Sequence, residues 1–194
     1  MKVAIVKYNA GNVASVQNAL GRLGVESVVS DDADVLRRAD KVIFPGVGEA
    51  STAMRYLRER NLDDVIKSLT QPVLGICLGM QLLCLHSEEN DTKCLGIFPN
   101  RVKRFADANL KVPHMGWNTI SGLRLPLFAE VADGSYAYFV HGYYVETSEN
   151  SAASCEYGAD FAAAIQKANF YAVQFHPEKS GVAGTRILEN FLNL

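Results

Sequence analysis

The chain has 194 residues, of which 48% are hydrophobic and 21% are charged, and its formal net charge is −2 at pH 7. This composition is typical of a folded globular protein and excludes a disordered chain. The weak negative charge argues against nucleic acid as a partner, because phosphate backbones select a basic surface. No apolar run approaches the ~18 residues that span a bilayer, so we expect a cytosolic protein without membrane association.

The cysteines and histidines give no support for a metal site or a disulfide framework. The chain has four residues of each type, and none of them forms a C-x-x-C or H-E-x-x-H pattern. We therefore expect reduced thiols, no metal and no other cofactor.

The first half of the chain alternates predicted strands and helices. Strands are predicted over residues 2–8, 25–30, 41–46 and 71–77, and helices over residues 12–24, 31–39, 49–69 (one helix or two) and 78–88. Short apolar runs that end in glycine-bearing turns are typical of buried parallel strands, whereas apolar residues at helical spacing predict helices. The alternation predicts a doubly wound, mostly parallel sheet with helices on both faces.

The second half contains strand-like runs joined by Gly, Asp and Asn turns, which favour antiparallel hairpins. These runs cover residues 101–105, 137–146, 151–157, 161–168 and 170–176, and a helix is predicted over residues 180–194. The predicted fold class is therefore α/β, a doubly wound mostly parallel sheet with an antiparallel β extension in the second half. No linker or internal repeat divides the chain, which favours one domain over residues 1–194.

Three glycine-bearing turns follow predicted strands, at residues 8–12, 45–49 and 75–79. Ligands bind at the carboxyl ends of the strands in such sheets, so one cleft could collect all three turns. The third turn has the form Gly-x-Cys-x-Gly, which is the pattern of a nucleophile elbow with Cys77 between a strand and a helix.

Several features of this turn suit Cys77 to act as a nucleophile. A helix N-terminus favours a thiolate, and the backbone N–H of Leu78 could bind a developing oxyanion. Gln81, four residues after Cys77 on the same helix face, could reach a bound substrate. The alternative is a buried cysteine that packs as a small apolar residue, which we expect for the other three cysteines.

The segment HPE at residues 176–178 supplies a candidate base. In a strand, residues two apart face the same side, so His176 and Glu178 could point into one cleft, with Pro177 stiffening the backbone. A carboxylate beside an imidazole fixes its tautomer and stabilises the imidazolium formed when a thiol gives up its proton. By itself the histidine could equally be a surface residue; together with the elbow, the pattern predicts a Cys-His-Glu triad.

Other motifs leave alternatives open. FPGVGEA lacks the Lys-Ser/Thr of a phosphate loop and the third glycine of a dinucleotide fingerprint, so nucleotide binding is the weaker interpretation. Val47 or Gly48 could instead supply a second oxyanion donor, although an ordinary strand-to-helix turn fits equally well. Trp117 and Tyr138 could each belong to the core or face a partner.

GICLGMQ together with QFHPE resembles the class I, or triad, glutamine amidotransferases. The motifs PGVG, VPHMGWN, YFVH and HPEKS are similar, more narrowly, to those of the glutaminase subunits of imidazole glycerol phosphate synthases. The resemblance extends from the turn at residues 8–12 to the last helix, and therefore covers nearly the whole chain.

The resemblance implies that Cys77 attacks the side-chain amide of L-glutamine, with His176 as general base and acid and Glu178 orienting it. It also implies an oxyanion hole, a substrate pocket and a partner interface. The implied oxyanion hole is Val47, Gly48 and Leu78; the implied substrate-binding residues are Gly48, Gln81, His141, Gly142 and Tyr143; the implied interface residues are Asn12, Trp117, Asn118, Tyr138 and Lys179, the last in an ion pair with the partner.

The implied partner is a separate (β/α)8 cyclase subunit in a heterodimer. It would use the ammonia to form imidazole glycerol phosphate and an aminoimidazole carboxamide ribotide in histidine biosynthesis. Two positions depart from the family pattern: Gly142 stands where a small hydroxyl residue is usual, so a glutamine contact there would use the backbone, and residues 8–12 match the family's first loop only loosely.

The sequence leaves two rival interpretations. The chain could be the glutaminase subunit of another class I synthase, such as one that makes anthranilate, a pyridoxal phosphate precursor or a nucleotide; VPHMGWN and PEKS argue against this. It could also be a non-catalytic binding module on the same fold. An intact triad argues against that alternative, because a module without chemistry has no need of all three residues.

Overall fold

The computed structural model describes residues 1–8, 12–106, 109–124 and 126–194. The strands are β1 (Val3–Val6), β2 (Ser27–Ser30), β3 (Lys41–Gly46), β4 (Val73–Cys77), β5 (His86–Ser87), β6 (Thr92–Lys93), β7 (Arg101–Arg104), β8 (His114–Ile120), β9 (Ser135–His141), β10 (Tyr143–Val145), β11 (Ser151–Glu156), β12 (Asp160–Lys167) and β13 (Phe170–Val173). The helices are α1 (Val13–Arg22), α2 (Ala33–Arg38), α3 (Ala50–Glu59), α4 (Leu62–Lys67), α5 (Leu78–Leu83) and α6 (Gly181–Leu192).

The central sheet has seven strands in the order β11-β12-β13-β4-β3-β1-β2. Strands β2, β1, β3, β4 and β13 pair in parallel, while β11, β12 and β13 pair antiparallel. This arrangement confirms the predicted fold class, including the antiparallel extension contributed by the second half of the chain.

Helices cover both faces of this sheet because successive strand residues point to opposite sides. Val42 and Phe44 of β3 pack in a core cluster with residues of α2, α3, α4 and α5. Ile43, between them, packs in a second cluster with residues of α1 and α6. Strands β1, β3, β4 and β13 are therefore buried on both faces, which is why their sequences are mostly continuous apolar runs.

Two small sheets lie outside the central one, a four-stranded sheet in the order β10-β7-β5-β6 and the two-stranded ribbon β8-β9. The sequence run 137–146, expected to be one strand, is divided between them. His141 pairs with His114 of β8, whereas Tyr143 pairs with Arg104 of β7. The chain changes sheets at Gly142, and periodicity along one segment cannot reveal such a change of pairing partner.

Of the two alternatives left open for the segment 49–69, the structure has two helices, which are separated by Asn61 in a left-handed conformation (φ 55°). One helix boundary differs from the sequence expectation. The helix expected over 78–88 ends at Leu83, because the carbonyls of Leu82, Leu83 and Cys84 accept hydrogen bonds from the backbone of residues 95–98. None of the helices within the described ranges is long and apolar enough to cross a membrane.

Candidate active site

The carboxyl ends of two neighbouring parallel strands bring two of the glycine-bearing turns together. Gly46 at the end of β3 pairs with Cys77 at the end of β4. On the other side of β4, strand β13 leads directly into the segment that contains His176. Of the first turn, Tyr8 and Asn12 are described, and residues 9–11 lie outside the described residues.

Cys77 has the strained backbone expected of a nucleophile elbow. Its φ of 54° and ψ of −111° place a non-glycine residue where L-residues seldom lie. The flanking glycines allow the close approach of neighbouring elements: a Cβ on Gly79 would overlap the carbonyl oxygen of Phe44, and one on Gly75 would lie 2.7 Å from a methyl group of Leu83. The Gly-x-Cys-x-Gly pattern therefore follows from packing space at the sharp turn.

Two hydrogen-bond contacts of the Cys77 thiol lie within the part of the chain that the structure describes. Its Sγ lies 3.7 Å from the carbonyl oxygen of Val140 and 3.8 Å from Nε2 of Gln174. Nε2 of His176 is buried without a hydrogen-bond partner among the described residues. No other described group therefore competes with the thiol for this imidazole nitrogen.

The His176 and Glu178 side chains form a buried pair. Nδ1–H of His176 donates to Oε1 of Glu178 over 2.7 Å, and the two side chains are 1% and 0% exposed. The strand geometry expected for residues 176–178 was wrong: Pro177–Lys179 form a short 3₁₀ turn after an extended His176. The turn still places the carboxylate beside Nδ1.

Asn12 is a third member of this group. Its Nδ2 donates a hydrogen bond to Oε1 of Glu178 and lies 3.2 Å from Nδ1 of His176. Burial lowers the pKa of His176, but its interactions with Cys77 and Glu178 outweigh burial and raise the pKa to about 10. The arrangement therefore favours an imidazolium beside Cys77 at neutral pH.

A cavity of about 250 Å³ opens next to the thiol. Its lining contains Cys77 and all seven of the other residues expected in the oxyanion hole or the substrate pocket: Val47, Gly48, Leu78, Gln81, His141, Gly142 and Tyr143. Gly48 adopts φ 114°, a conformation that glycine adopts readily. The sequence-predicted residues from three separate segments thus meet around one small-molecule cavity.

Three residues of the cavity lining were not anticipated: Glu89, Pro113 and Val140. Oε2 of Glu89 accepts a hydrogen bond from the backbone N–H of Ala50 over 2.8 Å. Burial raises the pKa of Glu89, and the nearby charge of Glu49 raises it further, against the effect of the Ala50 bond. No local sequence motif distinguishes Glu89 from a solvent-exposed carboxylate. Its place in the cavity lining is therefore visible only in the folded chain.

The residues expected at a partner interface do not form a single group. Trp117 is 55% exposed and therefore is not a core residue, and its ring makes an edge contact with Tyr138 at 5.9 Å. Nζ of Lys179 lies 5.9 Å from the Tyr138 ring centroid. Asn118 instead donates to the carbonyl of Glu156, and Asn12 contacts His176 and Glu178. An exposed apolar patch remains on the surface, formed by Trp117, Tyr136 and Val182.

The chain matches the family model "Glutamine amidotransferase class-I" over residues 4–194. It is 61% identical to the protein named imidazole glycerol phosphate synthase subunit HisH of Bacteroides fragilis, with all of both chains covered. It is 50% identical to the protein of the same name of Escherichia coli strain K12, again over the full length of both.

Solved structures of lower sequence similarity share the fold. One is described as a putative GMP synthase protein from Thermoplasma acidophilum, with a TM-score of 0.77, 22% identity and coverage of 100% of this chain and 92% of that one. Another is described as a glutamine amidotransferase, with a TM-score of 0.75, 21% identity and coverage of 98% and 97%. The match to the family model and the identity to these full-length relatives show that the chain belongs to the class I glutamine amidotransferases, within the family of imidazole glycerol phosphate synthase subunit HisH.

Proposed function

We propose that this chain is the glutaminase subunit of an imidazole glycerol phosphate synthase and that it hydrolyses L-glutamine at Cys77 to supply ammonia for histidine biosynthesis. The observation that supports the chemistry best is the convergence of a strained cysteine, a buried His–Glu pair and an amino-acid-sized cavity at one sheet edge. We also propose that residues 1–194 act as one amidotransferase domain in the cytosol.

In the first step the Cys77 thiol gives its proton to His176, and the sulfur attacks the side-chain amide carbon of glutamine. The carbonyl oxygen gains negative charge, and a tetrahedral intermediate forms. His176 then donates a proton to the amide nitrogen, ammonia leaves, and a γ-glutamyl thioester remains on Cys77. Water, deprotonated by His176, attacks the thioester and releases glutamate. Glu178 keeps the imidazole oriented and stabilises its charged form in both steps.

The oxyanion is held by backbone N–H groups. The proposed donors are the N–H of Leu78, at the start of α5, and one from the peptide units of Val47 and Gly48. The conformational freedom of Gly48 allows that peptide to reorient, so formation of the hole can depend on the state of the protein.

Recognition of the amino-acid end of glutamine is assigned to the far wall of the cavity. Glu89 offers a carboxylate for an α-ammonium group, and Gln81 offers its side-chain amide. Gly142 has no side chain, so any contact with substrate there is made by its backbone.

The partner is proposed to be a cyclase subunit that receives the ammonia. The relatives are named as subunits of a synthase, and the exposed apolar patch of Trp117, Tyr136 and Val182 offers the kind of surface that anchors protein interfaces. Trp117→Ala should weaken binding of the cyclase by roughly 30-fold without changing the folded state. Val28→Ala, at the far edge strand β2, is the matched control because Val28 is also exposed.

The test of the function is glutamine hydrolysis by the purified chain, alone and with the cyclase and its ligand. We expect little hydrolysis alone, strong stimulation by the liganded cyclase, and loss of activity in Cys77→Ser. A stimulation by anthranilate or nucleotide synthase subunits instead of the cyclase would support the rival synthase assignment. No hydrolysis under any of these conditions would support a binding module and overturn the proposal.

A further inference from the structure

Gln174 is a buried polar residue that the proposed reaction does not use. It follows β13, and its side chain is 0% exposed. Its backbone N–H donates to the carbonyl of Ala163. The sheet hydrogen bond at this position is therefore made by the backbone, and the side chain is not needed for it. Burial of an unpaired amide is unfavourable, and this amide is therefore expected to have specific partners.

The carbonyl of Tyr143 determines the direction of every hydrogen bond around Gln174. A carbonyl only accepts, so the Gln81 atom 2.9 Å from it must be Nε2. The same Nε2 lies 3.0 Å from Gln174, whose facing atom must then be the acceptor Oε1. This leaves Nε2 of Gln174 as the atom 3.8 Å from Sγ of Cys77. Exchanging the oxygen and nitrogen positions of either side-chain amide would place two donors or two acceptors in contact.

The Tyr143 carbonyl is itself held from the other side. Nδ1–H of His141 donates to it over 2.8 Å, and Nε2 of His141 accepts from Nδ1–H of His114 over 3.0 Å. Burial lowers the pKa of His141 to about 3 and that of His114 to about 4, so both rings are neutral near pH 7. One chain of hydrogen bonds thus runs from the ribbon β8-β9 to the nucleophile.

We propose that Gln174 is a positioning residue that holds two parts of the active site at once, the sulfur of Cys77 and the side-chain amide of Gln81. Both hydrogens of the Gln81 amide are occupied, so the atom that remains for the substrate is Oε1, an acceptor. It suits the α-ammonium of an amino acid and rejects a ligand with only an acceptor at that place. The N–H of Gln174 donates to the sulfur and stabilises its anionic form.

This inference rests on the proposed glutaminase function and is tested in the complex with the cyclase. Gln174→Met keeps the volume and removes both hydrogen bonds. We expect KM for glutamine to rise and alkylation of Cys77 by iodoacetamide to slow, each by roughly tenfold. Gln81→Met should raise KM but leave the alkylation rate unchanged. The effects of the two substitutions on KM should not add, because both act through the Gln81 amide.

Gln174→Glu keeps the oxygen that accepts from Gln81 and replaces the donor that faces the sulfur. We expect KM within a few-fold of the wild type, with alkylation slowing as rising pH ionises the new carboxyl group. Gln166→Met, a half-buried glutamine on β12, is the matched control for loss of an amide. If Gln174→Met does not fold, the KM and the pH dependence of Cys77 alkylation in Gln174→Glu test the positioning role of Gln174 instead.

The outcomes separate the two proposals. If the wild-type complex does not hydrolyse glutamine, the proposed function fails whatever the variants do. If it does, but Gln174→Met retains the KM and the alkylation rate of the wild type, the positioning role is overturned. Additive effects on KM in the Gln174→Met, Gln81→Met double variant would equally exclude an action through Gln81.

Discussion

The side-chain amide of Asn12 donates a hydrogen bond to the buried carboxylate of Glu178, which lies 166 residues further along the chain. The same Nδ2 is 3.2 Å from Nδ1 of His176. Asn12 was expected at a partner interface from family resemblance. Its contacts are instead with His176, the proposed general base and acid, and with Glu178, which would orient His176. A residue at this place can orient the carboxylate and thereby the imidazole.

Asn12→Ala should lower kcat by roughly tenfold, because a hydrogen bond to a charged group is lost and Glu178 is held less firmly. KM for glutamine should remain within a few-fold of the wild type, since Asn12 does not line the cavity. The measurement is steady-state hydrolysis in the presence of the liganded cyclase. Asn193→Ala, an exposed position after α6, serves as the control; an unchanged kcat in Asn12→Ala would show that the amide has no part in catalysis.

A glutamine-like alkylating agent should label Cys77 and spare the other three cysteines. Burial raises the pKa of Cys84 well above its usual range and raises the pKa values of Cys94 and Cys155 to about 12, so these thiols stay protonated and unreactive. Peptide mass spectrometry after limited labelling identifies the modified residue. Labelling that spreads over several cysteines in the folded protein would contradict the assignment of Cys77 as nucleophile.

Two glycines should respond to alanine in opposite ways. In Gly79→Ala the new methyl group would overlap the carbonyl of Phe44, so α5 must move away from β3. We expect a loss of about 3 kcal/mol in the free energy of unfolding, together with loss of activity. Gly21 lies in α1 with no atom within 4 Å of an added Cβ, and Gly21→Ala should raise the free energy of unfolding by about 0.5–1 kcal/mol. Urea unfolding measures the free energy of unfolding of both variants. Equal changes in the two variants would show that the turn at Gly79 can accommodate a methyl group.

The stability of the protein should fall with acid in part because of His114. Its pKa is about 4 in the folded chain, lowered by burial from 6.5. Between these pH values the unfolded chain binds the proton and the folded chain does not, so the free energy of unfolding decreases as the pH falls below 6.5. The contribution of one imidazole is at most about 1.4 kcal/mol per pH unit.

His114→Gln keeps an N–H donor for His141 and removes this titrating group. Its free energy of unfolding should therefore depend less steeply on pH than that of the wild type from pH 6.5 down to about pH 5. Urea unfolding at several pH values in that range gives the two slopes. Identical slopes would mean that His114 takes up a proton without penalty in the folded state.

Much of the fold and part of the candidate site can be predicted from the sequence, because the strands, helices and turns that form them depend on residue patterns within short segments. The apolar runs around Cys77 and the helical pattern after it predict a strand, a tight turn and a helix, which together make the elbow. The HPE segment predicts a carboxylate near an imidazole, although the backbone there forms a 3₁₀ turn instead of a strand. Local patterns thus predicted the proposed reacting groups, and the structure places His176 beside Glu178 even where the local geometry differed.

The amino-acid sequence by itself determined the strand-helix alternation, the strained position of Cys77 and the pairing of His176 with Glu178, since each depends on neighbours within a few residues. Only the tertiary structure decided that Asn12 contacts Glu178, that Glu89 lines the cavity and that Gln174 links Gln81 to the thiol. These contacts join segments that are far apart in the chain and depend on the order and register of the strands. That order follows from how the whole set of apolar faces is buried, and no single segment contains it.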